Sequence, residues 1–202
     1  MSAPAGERLG IFGGTFDPPH VGHLVTAVNV RHDLGLDRVL LVVNDQPWQK
    51  LGSRDITPAA DRLAMVEAAV GSVEGLEASR LEIDRGGMSY TADTLRALLG
   101  EAPGRELFVI LGSDAAVALP TWERAEEVRS MATIVVVERP GTREVEPPAG
   151  WSWARVEVPR LEVSSTDLRA RVVDGRPPDY LLSPDVIACI EKRALYGDQG
   201  GR

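Results

Sequence analysis

Gly13-Gly14-Thr15-Phe16-Asp17-Pro18-Pro19-His20-Val21-Gly22-His23 joins a glycine turn to two histidines three residues apart. The segment before it, Leu9-Gly10-Ile11-Phe12, reads as a short buried strand. The segment after it runs from Leu24 to Leu34 with Leu24, Val25, Val28 and Leu34 at helical spacing. Strand, glycine turn and helix N-terminus in that order suit a phosphate, because glycines let the backbone approach an anion and the first helical amides point at it. His20 and His23 lie on one helix face with Cβ atoms about 5–6 Å apart. Two imidazoles beside such amides can neutralise a phosphate whose charge is shifting, which points to nucleotide chemistry. The alternatives are an ordinary βα turn with two solvent-facing histidines, or a metal site. Zinc needs three or four ligands, and besides carboxylates only His32 and Cys189 are left to complete one. His32 is read as a plain helix residue.

Outward from that loop, strands and helices alternate. Strands are expected at 38–43, 76–83, 107–111 and 133–137, and an edge strand at 153–158 that Pro159 ends. Helices are expected at 59–70, 91–99, 123–130, 166–173 and 184–195. The nearly unbroken apolar run Leu107-Phe108-Val109-Ile110-Leu111 fits a parallel strand buried on both faces. The pattern as a whole predicts an open, mostly parallel α/β sheet flanked by helices, with a small helical part at the C-terminus. In such a sheet ligands sit beyond the carboxyl ends of the strands. The Gly13 loop and Gly112-Ser113-Asp114 share one crevice if the strands before them are neighbours.

At 202 residues the chain fits a single domain spanning 1–202. The net charge of −8 argues against broad nucleic-acid binding, and cations must gather locally if ATP is bound. No apolar run approaches a membrane span. One cysteine excludes an intramolecular disulfide and fits a cytoplasmic protein.

A second loop, Val163-Ser164-Ser165-Thr166-Asp167-Leu168-Arg169, places three hydroxyls before a helix and an arginine one turn in. Serine and threonine there are ordinary N-caps, but with the guanidinium they also form a phosphate cradle.

These two loops together resemble the nucleotidyltransferase superfamily marked by His-x-Gly-His and Ser-Ser-Thr-x-x-Arg. The resemblance implies a five-stranded Rossmann-like sheet in the order 3-2-1-4-5. Ser89-Tyr90-Thr91-Ala92-Asp93-Thr94-Leu95, then Gly112-Ser113-Asp114, Pro120-Thr121-Trp122 and Arg139-Pro140-Gly141, resemble segments of bacterial nicotinate mononucleotide adenylyltransferases in the same order. That family transfers the adenylyl group of ATP to nicotinate mononucleotide and releases pyrophosphate.

The resemblance implies catalytic roles for His20, His23 and Arg169. It implies ATP binding by Gly13, Gly14, Thr15, Phe16, His20, His23, Gly112, Asp114, Ser164, Ser165, Thr166 and Arg169. The mononucleotide falls to Thr15, Lys50, Tyr90, Thr91, Asp114 and Trp122, with amides at Tyr90 and Thr91 on the carboxylate and Trp122 stacked on the pyridine ring. Mg2+ is expected to travel with ATP, without an all-protein metal site. The substrates are small molecules, with no nucleic acid or membrane partner, and homo-oligomerisation stays open.

One stretch departs from the family pattern: in Val43-Asn44-Asp45-Gln46-Pro47-Trp48-Gln49-Lys50, Trp48 and Gln49 replace Pro-His. The runner-up readings are a related transferase acting on nicotinamide mononucleotide or another phosphate acceptor, and a nucleotide-binding sensor without turnover.

Overall fold

The β-branched runs fall where a doubly covered sheet needs them. In the computed structural model, which describes residues 6–46, 56–138 and 145–197, strand β1 (Arg8–Gly14) leads into helix α1 (Val21–Leu34) and strand β2 (Arg38–Val43). Helix α2 (Ala59–Val70), strand β3 (Leu76–Ser79) and helices α3 (Leu81–Arg85) and α4 (Thr91–Glu101) follow. Next come β4 (Glu106–Gly112), α5 (Ser113–Val117), α6 (Ala125–Met131), β5 (Ala132–Glu138), β6 (Trp153–Glu157), α7 (Ser165–Val173) and α8 (Pro184–Lys192). The sheet order is 3-2-1-4-5-6, and every pairing is parallel.

Alternation along the strands divides the core. Val39, Leu41 and Val43 of β2 join Ala27 and Val30 of α1 and Leu63, Val66 and Val70 of α2 on one face. Leu40 and Val42 join Ala92, Leu95 and Leu98 of α4 and Val128 of α6 on the other. Such two-sided burial is what makes parallel strands almost continuously apolar. A third cluster packs Met65 and Ala69 of α2 against Leu168 of α7 and Val186 and Ile190 of α8, so the C-terminal helices lean on α2. Each fully buried leucine or valine of this kind contributes about 1.5–3 kcal/mol.

Four expectations need correction. The sheet has six strands rather than five, because Trp153–Glu157 pairs parallel with β5 at the edge. The segment 76–83 is not one strand. Its ladder with β2 stops at Val42↔Ser79, and the chain turns into α3, where buried Glu82 accepts hydrogen bonds from Asn44 Nδ2 at 2.9 Å and the Thr94 hydroxyl at 2.7 Å. Helix α1 buries Thr26, Ala27 and Val30, while Val28 stays 43% exposed. Finally, Asp114 stands in the first turn of α5 rather than in a loop. Among the described residues no helix is long and apolar enough to cross a membrane.

Candidate active site

With β1 flanked by β2 and β4, the order reverses at β1, and the crevice beyond its carboxyl end is the expected ligand position. The first loop lies there. A Cβ on Gly14 would fall 2.8–3.0 Å from the Phe16 ring, so only glycine lets that ring fold back under the loop. A Cβ on Gly22 would fall 3.1 Å from His20 ring atoms and 3.0 Å from Val163 Cγ1. A side chain between the histidines would therefore crowd the His20 ring and Val163.

His20 is the N-cap of α1 with extended backbone angles. Its ring stacks on that of His23 at 3.7 Å between centroids, and the Phe16 ring meets His23 edge-on at 5.0 Å. The His20 backbone N–H donates to His23 Nδ1 at 3.1 Å. Because Nδ1 accepts, a neutral His23 ring carries its proton on Nε2.

The second loop closes onto the first. Ser164 caps α7 by accepting from the Asp167 backbone N–H at 3.2 Å. The Ser165 hydroxyl donates to the Pro18 carbonyl at 2.9 Å. Arg169 Nη1 donates to the Asp17 carbonyl at 2.6 Å, and Nη2 to the Thr166 hydroxyl at 3.2 Å. The two loops read separately from sequence are one hydrogen-bonded unit, in which Ser165 and Arg169 also brace the histidine loop.

Two residues of this unit carried no sequence signal. Arg62, 1% exposed, donates from Nη1 to the Thr15 carbonyl at 2.9 Å. The Tyr196 hydroxyl donates to Asp17 Oδ1 at 2.7 Å across 179 residues. Burial, and then the Asp17 carboxylate beside it, pushes the Tyr196 phenol far above its ordinary value. Below about pH 10 the phenol is protonated in folded and unfolded chains alike, and its contribution is complete. Above that, the unfolded chain releases the proton while the folded chain keeps it, so stability falls by at most about 1.4 kcal/mol per pH unit. Tyr196→Phe is expected to cost about 1.5–3 kcal/mol at neutral pH and to flatten this alkaline fall. Urea unfolding across pH 8 to 11 reads both, and an unchanged slope would show that another group causes it.

On the other side of Gly13 lies a cleft of about 200 Å3, lined by Asn44, Tyr90, Thr91, Leu111, Trp122 and Glu123 among others. Tyr90 is the N-cap of α4, so the first free amides of that helix start at the cleft wall. Trp122 Nε1 is buried and has no hydrogen-bond partner among the described residues. Arg124 stands 5.9 Å from the Tyr90 ring centroid and pairs with Asp93 at 2.7 Å. That hydrogen bond holds the Asp93 carboxyl below its usual range.

Of the expected mononucleotide residues, Tyr90, Thr91 and Trp122 line this cleft, whereas Asp114, and Gly112 among the expected ATP residues, are exposed beside its lining residues Leu111 and Ala115. Lys50 and the stretches 47–55 and 139–144 lie outside the described residues. Asn44, Ser89 and Glu123 are lining residues that the sequence reading did not single out.

The sequence matches the cytidylyltransferase-like family over residues 11–171. It is 47% identical over 196 residues to a Corynebacterium kroppenstedtii protein named "Probable nicotinate-nucleotide adenylyltransferase", covering 96% of this chain and 92% of that one. A protein of the same name from Acidothermus cellulolyticus is 45% identical over 204 residues, covering 96% and 97%. The chain belongs to the nicotinate-nucleotide adenylyltransferase family.

Its fold is that of solved members of the family. The structure of Plasmodium falciparum nicotinic acid mononucleotide adenylyltransferase complexed with NaAD superposes with a TM-score of 0.76 at 19% identity, covering 94% of this chain and 97% of that one. The matched family region begins inside β1 and ends inside α7, so both loops of the site lie within it.

Proposed function

We propose that this chain, as a single domain over 1–202, transfers the adenylyl group of ATP to nicotinate mononucleotide in the cytoplasm, giving nicotinate adenine dinucleotide and pyrophosphate. The observation that carries this reading is the adjacency of two half-sites across Gly13: a histidine and arginine loop suited to a triphosphate, and a cleft bounded by helix-start amides and an indole.

The acceptor supplies its own nucleophile. A phosphate oxygen of the mononucleotide attacks the α-phosphorus of ATP, a P–O bond forms, and the bond to the β-phosphate bridging oxygen breaks. The electron pair leaves on pyrophosphate. No side chain has to be deprotonated, so catalysis rests on alignment and on stabilising charge.

Amides near Gly13, Gly14, Thr15 and Phe16 hold the phosphates, and His20 and His23 stabilise the charge moving onto pyrophosphate. Ser165, Thr166 and Arg169 hold its far end, with Ser164 as the cap that sets their helix. Gly112 and Asp114 take the ATP ribose side. Thr15 and Asp114 also meet the mononucleotide, and Lys50 serves as a point charge for its phosphate.

Among the described residues no group of three or more His, Cys, Asp or Glu side chains could hold a metal ion. In this reading Mg2+ arrives with ATP as MgATP, keeping water and phosphate oxygens as its ligands.

Amides of Tyr90 and Thr91 suit the nicotinate carboxylate, and the flat indole of Trp122 suits the pyridine ring. A stacked ring contributes about 1–3 kcal/mol. Trp122→Ala is therefore expected to raise KM for the mononucleotide about tenfold while KM for ATP moves less than about threefold. Equal losses for both substrates would place the indole elsewhere than against the acceptor ring.

A further inference from the structure

Arg62 lies on helix α2, and although charged it is among the most buried side chains described, at 1% exposed. Each of its three nitrogens donates to a backbone carbonyl. Nε reaches Thr57 at 2.8 Å, Nη1 reaches Thr15 at 2.9 Å, and Nη2 reaches Asp45 at 3.2 Å. The three acceptors belong to three different connections. Thr15 is in the loop after β1, Asp45 follows β2, and Thr57 precedes α2.

The Asp45 connection is itself tied to the acceptor side. The Asp45 N–H donates to Ser89 Oγ at 3.0 Å, Gly87 N–H donates to Asp45 Oδ2 at 3.0 Å, and Ser89 N–H donates to the Gln46 carbonyl at 3.3 Å. Ser89 leads directly into Tyr90 and Thr91 at the cleft. A continuous hydrogen-bonded path thus runs from the phosphate loop at Thr15, through one guanidinium, to the start of α4.

We propose that Arg62 is a positioning residue that sets the spacing between the ATP loop and the acceptor cleft, so that the attacking phosphate oxygen and the α-phosphorus meet in line. The inference rests on the adenylyl-transfer reading above. A planar fork with donors on three sides can bridge three carbonyls, whereas an ammonium on a flexible stem cannot hold all three in fixed directions. Each half-site keeps its own contacts when the bridge is weakened, and what is lost is their mutual alignment. Misplacement by about 1 Å can cost up to about a hundredfold in rate.

Arg62→Lys keeps the charge and most of the volume, which favours a folded protein. It is expected to lower kcat at least about tenfold, while the dissociation constants of ATP and of nicotinate mononucleotide, each titrated alone, change less than about threefold. Val66→Ala removes buried volume from the same helix and leaves the three Arg62 hydrogen bonds in place, and it is expected to lower the thermal midpoint yet keep kcat near wild type. Three results would overturn the proposal: a kcat for Arg62→Lys within about threefold of wild type, a loss lying wholly in the single-substrate constants, or an equal fall in kcat for Val66→Ala. If the wild-type chain makes no dinucleotide, the functional reading fails instead, and the two failures are separated by that control.

Discussion

His23→Ala is expected to lower turnover by about two to three decades, the effect of removing one pre-organised donor worth about 3–4 kcal/mol to a transition state. The geometry singles out His23 because its Nδ1 is committed to the His20 backbone N–H. In the proposed role that bond orients the ring, and Nε2 is the nitrogen that would donate to the charge moving onto pyrophosphate. The fold should persist, since the residue lies in the first turn of α1, alanine is the strongest helix former, and its ring neighbours Phe12 and Phe16 also pack with each other. Steady-state kcat together with a thermal midpoint checks both halves, and a variant with full turnover would remove the role assigned to this ring.

Arg169→Ala should cost about two decades or more in kcat/KM for ATP, for two reasons acting together. In the proposed role the guanidinium would bring positive charge to the far end of the triphosphate, in a protein of net charge −8. It also braces the histidine loop through the Asp17 carbonyl at 2.6 Å, and a hydrogen bond to a charged group is worth about 1.5–3 kcal/mol. Arg169→Lys keeps the charge and loses the two-pronged reach to Asp17 and Thr166, so it should recover only part of the activity. Complete recovery in the lysine variant would mean that charge alone matters and that the brace has no consequence for catalysis.

Both loops of the site were legible in the sequence because their chemistry is local. Glycines, histidines, hydroxyls and an arginine stand within a few residues of one another, and their order beside a strand or helix carries the meaning. The apolar runs at 38–43 and 107–111 showed the doubly covered strands for the same reason.

What the sequence did not reveal depends on contacts far apart along the chain. Residues 76–83 read as one strand, whereas the β2 ladder ends at Ser79 and Glu82 is buried between Asn44 and Thr94 in α3. The sixth strand was visible as an edge candidate but not in the count, which came from the family resemblance. Arg62 sits in a helical pattern where an arginine ordinarily faces water, and its three carbonyl partners are set by tertiary packing. Tyr196 is joined to Asp17 across 179 residues.

The most direct measurement is pyrophosphate release by the purified chain with MgATP and, side by side, nicotinate mononucleotide or nicotinamide mononucleotide. The account predicts release with the acid at a kcat/KM at least about tenfold above that with the amide, the worth of one charge-assisted contact to the carboxylate. Release that favours the amide, or none with either substrate despite ATP binding, would contradict it.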